Sequence, residues 1–226
     1  MSVEEAKRAA SERAAALVED GMTLGLGTGS TAYWFIEACG RLVASGMRLR
    51  GVPTSEVSAQ HARELGIPVV EMGRDGVDLA VDGADAVDDQ LRLIKGAGGA
   101  LVREKIVAAA ARRFVVVVDE SKRCDPLRGP LPVEMVQFGH VATLAALERL
   151  TDVEAWLRPA GDGPYVTDNG GFITDLRLPE IADPEGLAEL LDSLPGVIGH
   201  GLFLGMADLV LVAREDGAVA EMAPRG

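Results

Sequence analysis

Met22-Thr23-Leu24-Gly25-Leu26-Gly27-Thr28-Gly29-Ser30-Thr31-Ala32-Tyr33-Trp34-Phe35-Ile36 passes from a short apolar run through a glycine- and hydroxyl-rich loop into an amphipathic pattern. It reads as strand, loop and helix, the unit from which parallel sheets are built. Upstream, residues 6–19 carry alanine and leucine at helical spacing, and Asp20-Gly21 closes that helix with a residue suited to a left-handed cap. Downstream the alternation continues, with strands expected at 47–52, 67–70, 78–81 and 91–94 and helices at 55–65 and 100–112. Phe114-Val115-Val116-Val117-Val118 is apolar at every position, which fits a central parallel strand covered on both faces.

Beyond Pro126 the rhythm changes. Strands are expected at 131–138, 153–157 and 172–176, with helices at 141–150 and 184–191, before the apolar run 207–213 returns to the first sheet. The expected fold is therefore α/β, a doubly wound, mostly parallel, Rossmann-like sheet formed by residues 1–130 and 206–226. A smaller α+β, ferredoxin-like domain spanning 131–205 is inserted into it.

The chain has 226 residues, 48% of them hydrophobic, enough for a sizeable core without metal or disulfide support. Its net charge of −13 opposes nucleic acid and anionic membranes as main partners but leaves room for a small anion held by local donors. Cys39 and Cys124 form no C-x-x-C pair, and His61, His140 and His200 show no metal-ligand spacing. The start, Met1-Ser2-Val3-Glu4-Glu5-Ala6-Lys7-Arg8, has no signal-peptide pattern and no apolar run reaches membrane-spanning length, so a cytoplasmic protein is expected.

Three segments carry chemistry. Thr28, Gly29, Ser30 and Thr31 sit at a helix start, where N–H groups and hydroxyls can hold a phosphate or carboxylate; the alternative is a tight turn with Ser or Thr as helix cap. The loop ends in neither Gly-Lys-Ser/Thr nor a dinucleotide glycine pattern. Asp82-Gly83-Ala84-Asp85 follows a buried strand and so lies on the ligand edge of the sheet, although a lone D-G-x-D can also be simple turn chemistry. Lys95-Gly96-Ala97-Gly98-Gly99 leads into the helix bearing Glu104, which is either a site carboxylate or part of a solvated charged face. Lys122, after the valine strand, reaches the same edge or snorkels over the surface; Lys7 is a weaker candidate.

Taken in order, Gly25 to Ala32, Val81 to Asp85, Ile94 to Ile106, Asp119-Glu120-Ser121-Lys122, Leu131-Pro132-Val133-Glu134, Thr167-Asp168-Asn169-Gly170 and Pro195 to Phe203 resemble the type A ribose-5-phosphate isomerases along nearly the whole chain. The resemblance implies a cofactor-free, metal-free enzyme, commonly a homodimer, that interconverts ribose 5-phosphate and ribulose 5-phosphate through a cis-enediolate. It assigns Glu104 as general base, Lys95 to the oxyanion, and Asp82 and Asp85 to sugar hydroxyls and ring opening. Thr28 to Thr31 and Lys122 would hold the phosphate, and Gly83, Ala84, Gly96, Ala97 and Gly98 would line the sugar. The chain departs from the family at Ala86, where an acidic residue is usual, and at Gly171, where asparagine is common. A sugar-phosphate sensor and a coenzyme A transferase-like enzyme are the rival readings; the first would not need Glu104, and the second would use it as nucleophile.

Overall fold

The structure, a computed structural model, describes residues 3–214 and 216–224. Met1, Ser2, Glu215, Arg225 and Gly226, which the expected domain bounds include, lie outside the described residues. Helix α1 (Val3–Ala15) leads into β1 (Thr23–Leu26), α2 (Ser30–Ala44), β2 (Arg50–Pro53), α3 (Glu56–Glu64) and β3 (Leu79–Gly83). Two short strands, β4 (Ala86–Val87) and β5 (Leu93–Ile94), precede α4 (Leu101–Ala109), β6 (Phe114–Asp119) and a 3-10 turn (Glu120–Lys122). Then come β7 (Gly129–Met135), α5 (His140–Thr151), the hairpin β8 (Pro159–Ala160) and β9 (Gly163–Pro164), β10 (Phe172–Leu178) and α6 (Pro184–Asp192). The chain closes with β11 (Val197–His200), β12 (Leu202–Phe203), β13 (Leu209–Ala213) and β14 (Val219–Met222).

The main sheet has the order β14-β13-β6-β3-β1-β2, parallel throughout except where β14 runs antiparallel to β13. The valine run explains its place in the middle. Val115 and Val117 face Phe35 and Ala10 on one side, whereas Val116 and Val118 belong to the opposite core with Val107 and Phe203. Each valine so buried contributes about 1.5–3 kcal/mol, so an alternating polar sequence could not hold this position. The returning run joins as β13 beside β6, as expected.

A second, antiparallel sheet of order β10-β7-β11 packs with α5 and α6 around Leu131, Val133, Met135, Leu147, Leu176 and Leu191. A third, β12-β5-β4, places β5 between β4 and β12. Three expected strands are shorter or different. Residues 67–70 make only a parallel bridge, Val69 to Gly51, because Pro68 has no N–H to extend a ladder at this edge. Leu91 adopts a left-handed φ of 61°, so the expected 91–94 strand begins only at Leu93. Residues 153–157 contribute one antiparallel bridge, Leu157 to Thr174. Strands β4, β8, β9, β11, β12 and β14 were not expected.

Candidate active site

Three charged side chains converge under the C-terminal edge of the main sheet. Asp82 ends β3, Lys95 follows β5, and Glu104 lies in the first turn of α4; they are 4%, 2% and 4% exposed. Lys95 Nζ stands 3.0 Å from Asp82 Oδ2 and 3.4 Å from Glu104 Oε2, and donates to the Gly83 carbonyl. Asp82 Oδ1 also accepts from the Thr28 N–H at 3.1 Å and the Gly83 N–H at 2.7 Å. The approach of Thr28 depends on Gly27, where an added Cβ would stand 2.2 Å from Asp82 Oδ1. Glu104 Oε2 is buried without a hydrogen-bond partner among the described residues.

One cation cannot neutralise two buried carboxylates. Each ion pair at about 3 Å is worth roughly 5 kcal/mol at an effective dielectric near 20, but desolvating an uncompensated second carboxylate costs several kcal/mol. The pair therefore retains a proton. Burial raises the pKa of both Asp82 and Glu104 against the pull of Lys95, with Glu104 pushed up to about 8. Geometry assigns the proton to Glu104, because Asp82 receives Thr28, Gly83 and Lys95 whereas Glu104 Oε2 has only the longer contact to Lys95. Burial disfavours the charge on Lys95, yet Asp82 and Glu104 outweigh it and hold its pKa above the ordinary value.

Above this cluster lies a cleft of about 210 Å³. One end is formed by Asp85, Lys95, Glu104 and the loop from Gly96 to Gly98, with Asp85 Oδ2 accepting from the Ala97 N–H at 2.9 Å. The other end is formed by Thr28 to Thr31, Lys7 and Lys122. Ser55 caps α3 and Asp183 caps α6, but the cap position of α2 is Gly29, with no side-chain hydrogen bond. That removes the reading of the loop as a Ser or Thr cap and leaves the first N–H groups of α2 for a ligand. Thr28 Oγ1 is instead tied to Thr54 and Ser55 at 2.7 and 2.9 Å, so its hydroxyl stiffens the loop.

Thirteen of the fourteen expected site residues line the cleft: Thr28, Gly29, Ser30, Thr31, Gly83, Ala84, Asp85, Lys95, Gly96, Ala97, Gly98, Glu104 and Lys122. Asp82 lies behind Lys95, where it orients the ammonium. Lys7, the weak candidate, reaches the cleft and donates to Ser30 Oγ at 3.0 Å. Its signal was the positive charge on the inner face of α1, readable only once α1 is known to pack along α2. Val118 and Asp119 also line the cleft and were missed; as the last residues of the central strand they share the edge assigned to Lys122. The charged triplet splits: Glu104 faces the site, while Arg103 binds Asn169, Glu56 and the Asp168 carbonyl at 2.9–3.1 Å. Ala86 packs into the core of the smaller sheet, and a Cβ on Gly171 would meet Glu134 Oε1 at 2.7 Å. Among the described residues, no group of three or more His, Cys, Asp or Glu is arranged to hold a metal ion, and no helix is long and apolar enough to cross a membrane.

The sequence profile described as Ribose 5-phosphate isomerase A (phosphoriboisomerase A) matches residues 50–217. A Ribose-5-phosphate isomerase A of Roseiflexus sp. (strain RS-1) is 51% identical over 223 residues, covering 96% of both chains. Among solved structures, the ribose 5-phosphate isomerase of Plasmodium falciparum superimposes with a TM-score of 0.95 at 32% identity, covering 99% of this chain and 100% of that one. A D-ribose-5-phosphate isomerase in complex with phospho-erythronic acid gives a TM-score of 0.94 at 41% identity, again over 99% and 100%.

Proposed function

The chain belongs to the ribose 5-phosphate isomerase A family, and on that premise we propose that Glu104 is the base with which it moves a proton between C2 and C1 of the sugar. It is an aldose–ketose isomerase of the pentose phosphate pathway, interconverting D-ribose 5-phosphate and D-ribulose 5-phosphate. The observation that carries the assignment is the Glu104 carboxylate at the cleft floor, held near Lys95 with Oε2 unpartnered.

In this reading the phosphate sits among Ser30, Thr31, Lys7, Lys122 and the uncapped start of α2, which places C1 and C2 at the opposite end. Asp85 takes a sugar hydroxyl and helps the ring open. Ionised Glu104 removes the C2 proton, giving a cis-enediolate whose oxygen charge is stabilised by Lys95. The hydroxyl proton on O2 passes to O1 across the enediolate while Glu104 returns its proton to C1, so nothing is gained or lost overall. Asp82 keeps Lys95 aimed at those oxygens. No step calls on a cofactor.

The homodimer and the cytoplasmic location belong to the same proposal. Phe138, 94% exposed, and the exposed Val141 offer an apolar surface to a second copy, and both cysteines are free thiols. Sedimentation of the purified protein decides the first point. The chemistry is tested by a coupled isomerase assay in deuterium oxide: turnover with deuterium entering the sugar supports it, and an active Glu104→Gln variant would refute it.

A further inference from the structure

We propose that Arg158 is a positioning residue of the isomerase site, holding the Gly96–Gly98 loop so that the Gly98 N–H faces the reacting oxygens. The proposal rests on the placement of the enediolate beside Lys95 and Glu104. Arg158 lies just before the β8–β9 hairpin and belongs to neither the cleft lining nor the charged cluster. Its Nη1 donates to the carbonyls of Gly96 and Ala97, both at 3.1 Å. Nε and Nη2 meet the two carboxylate oxygens of Asp175 at 2.8 and 2.6 Å, a bidentate anchor on β10.

Peptide planarity turns these contacts into an orientation. In a trans peptide the carbonyl and the next N–H point in opposite directions. With the Gly96 carbonyl drawn to Arg158, the Ala97 N–H points the other way and meets Asp85 Oδ2 at 2.9 Å, which verifies the geometry within the same loop. With the Ala97 carbonyl drawn to the same guanidinium, the Gly98 N–H points away from Arg158. Gly98 lines the cleft, and its N–H has no acceptor among the described residues. Tyr165 locks the loop from behind: its ring lies 5.8 Å from the Arg158 guanidinium, and it fills the space beside Gly99, where a Cβ would stand 2.3 Å from the tyrosine hydroxyl. A cleft-lining N–H with a fixed direction is a preorganised donor for an enediolate oxygen.

The test compares Arg158→Ala, Arg158→Lys and Asp175→Asn with the parent enzyme in kcat, KM and affinity for two probes, phospho-erythronic acid and inorganic phosphate. Arg158→Ala is expected to lose about tenfold in kcat and a similar factor in phospho-erythronic acid affinity, with phosphate affinity unchanged, since only the sugar end depends on the loop. Lysine, which cannot serve two carbonyls and a bidentate carboxylate together, should not restore the rate. Parallel losses for both probes would mark a merely structural role and overturn the proposal, as would a kcat within twofold of the parent. If Arg158→Ala does not fold, Asp175→Asn decides on the same two criteria, with about a threefold loss of kcat expected. Glu104→Gln, run alongside, separates the failures: a dead Glu104→Gln with an unimpaired Arg158→Ala overturns this inference alone, whereas an active Glu104→Gln overturns the site assignment beneath it.

Discussion

The two ends of the cleft are built on opposite physical terms. At the chemical end, Asp82, Lys95 and Glu104 are withdrawn almost entirely from water, and one cation stands against two carboxylates. At the end proposed to hold the phosphate, Ser30, Thr31, Lys7 and Lys122 border solvent around an uncapped helix start. In the proposed assignment, the difference separates chemistry from holding. Burial makes the charges of the first group interdependent and moves their proton affinities, which a base for carbon acids needs. Solvent-exposed donors cost little to display, bind an anion with modest energy and are screened by salt.

Breaking the chemical end should have the largest effect. Glu104→Gln keeps the shape of the side chain but cannot accept a proton from carbon, so kcat should fall by about 10²–10⁴-fold with KM little changed, as read by steady-state kinetics. Lys95→Met leaves Asp82 and Glu104 without their cation and should destabilise the fold by about 3–5 kcal/mol, measured by urea unfolding, besides abolishing turnover.

Breaking the phosphate end should act on binding. Lys7→Ala and Lys122→Ala should each raise KM about tenfold while kcat changes little, with the loss shrinking in high salt. A large kcat defect from either would erase the division between the two ends.

The pH dependence of stability sharpens the same contrast. Glu104 titrates near 4.5 when unfolded and near 8 when folded, so between those values the folded chain holds a proton that the unfolded chain lacks. Stability from this group is complete below pH 4.5 and declines as pH rises toward 8. Urea unfolding of the parent at pH 5.5 and 8 should show that decline, and Glu104→Gln should flatten it.

The chemical end was largely legible in the sequence because strand ends are. The apolar runs before Asp82 and Asp119 mark parallel strands, and whatever follows such a strand emerges on the ligand edge. Lys7 was not legible in the same way: it meets Ser30, 23 residues away in sequence, only because α1 packs along α2. The burial of Asp82 behind Lys95 likewise depends on a crossing that no local pattern encodes. Strands β11 and β12 take their partners from β7 and β5, far upstream, and are too short to show a period of their own. Arg158 lies outside every motif, and its contact to the glycine loop joins residues 62 positions apart in sequence.

That Glu104 rests protonated beside Lys95 and must ionise to act is tested most directly by the pH dependence of kcat/KM. The substrate phosphate loses its second proton near pH 6, about two units lower, so the two ionisations separate. An acid limb with an apparent pKa of about 8, falling tenfold per unit below it, is the expected result. A profile flat from pH 7 to 9 would show a carboxylate already ionised in the free enzyme and contradict the assignment of the shared proton.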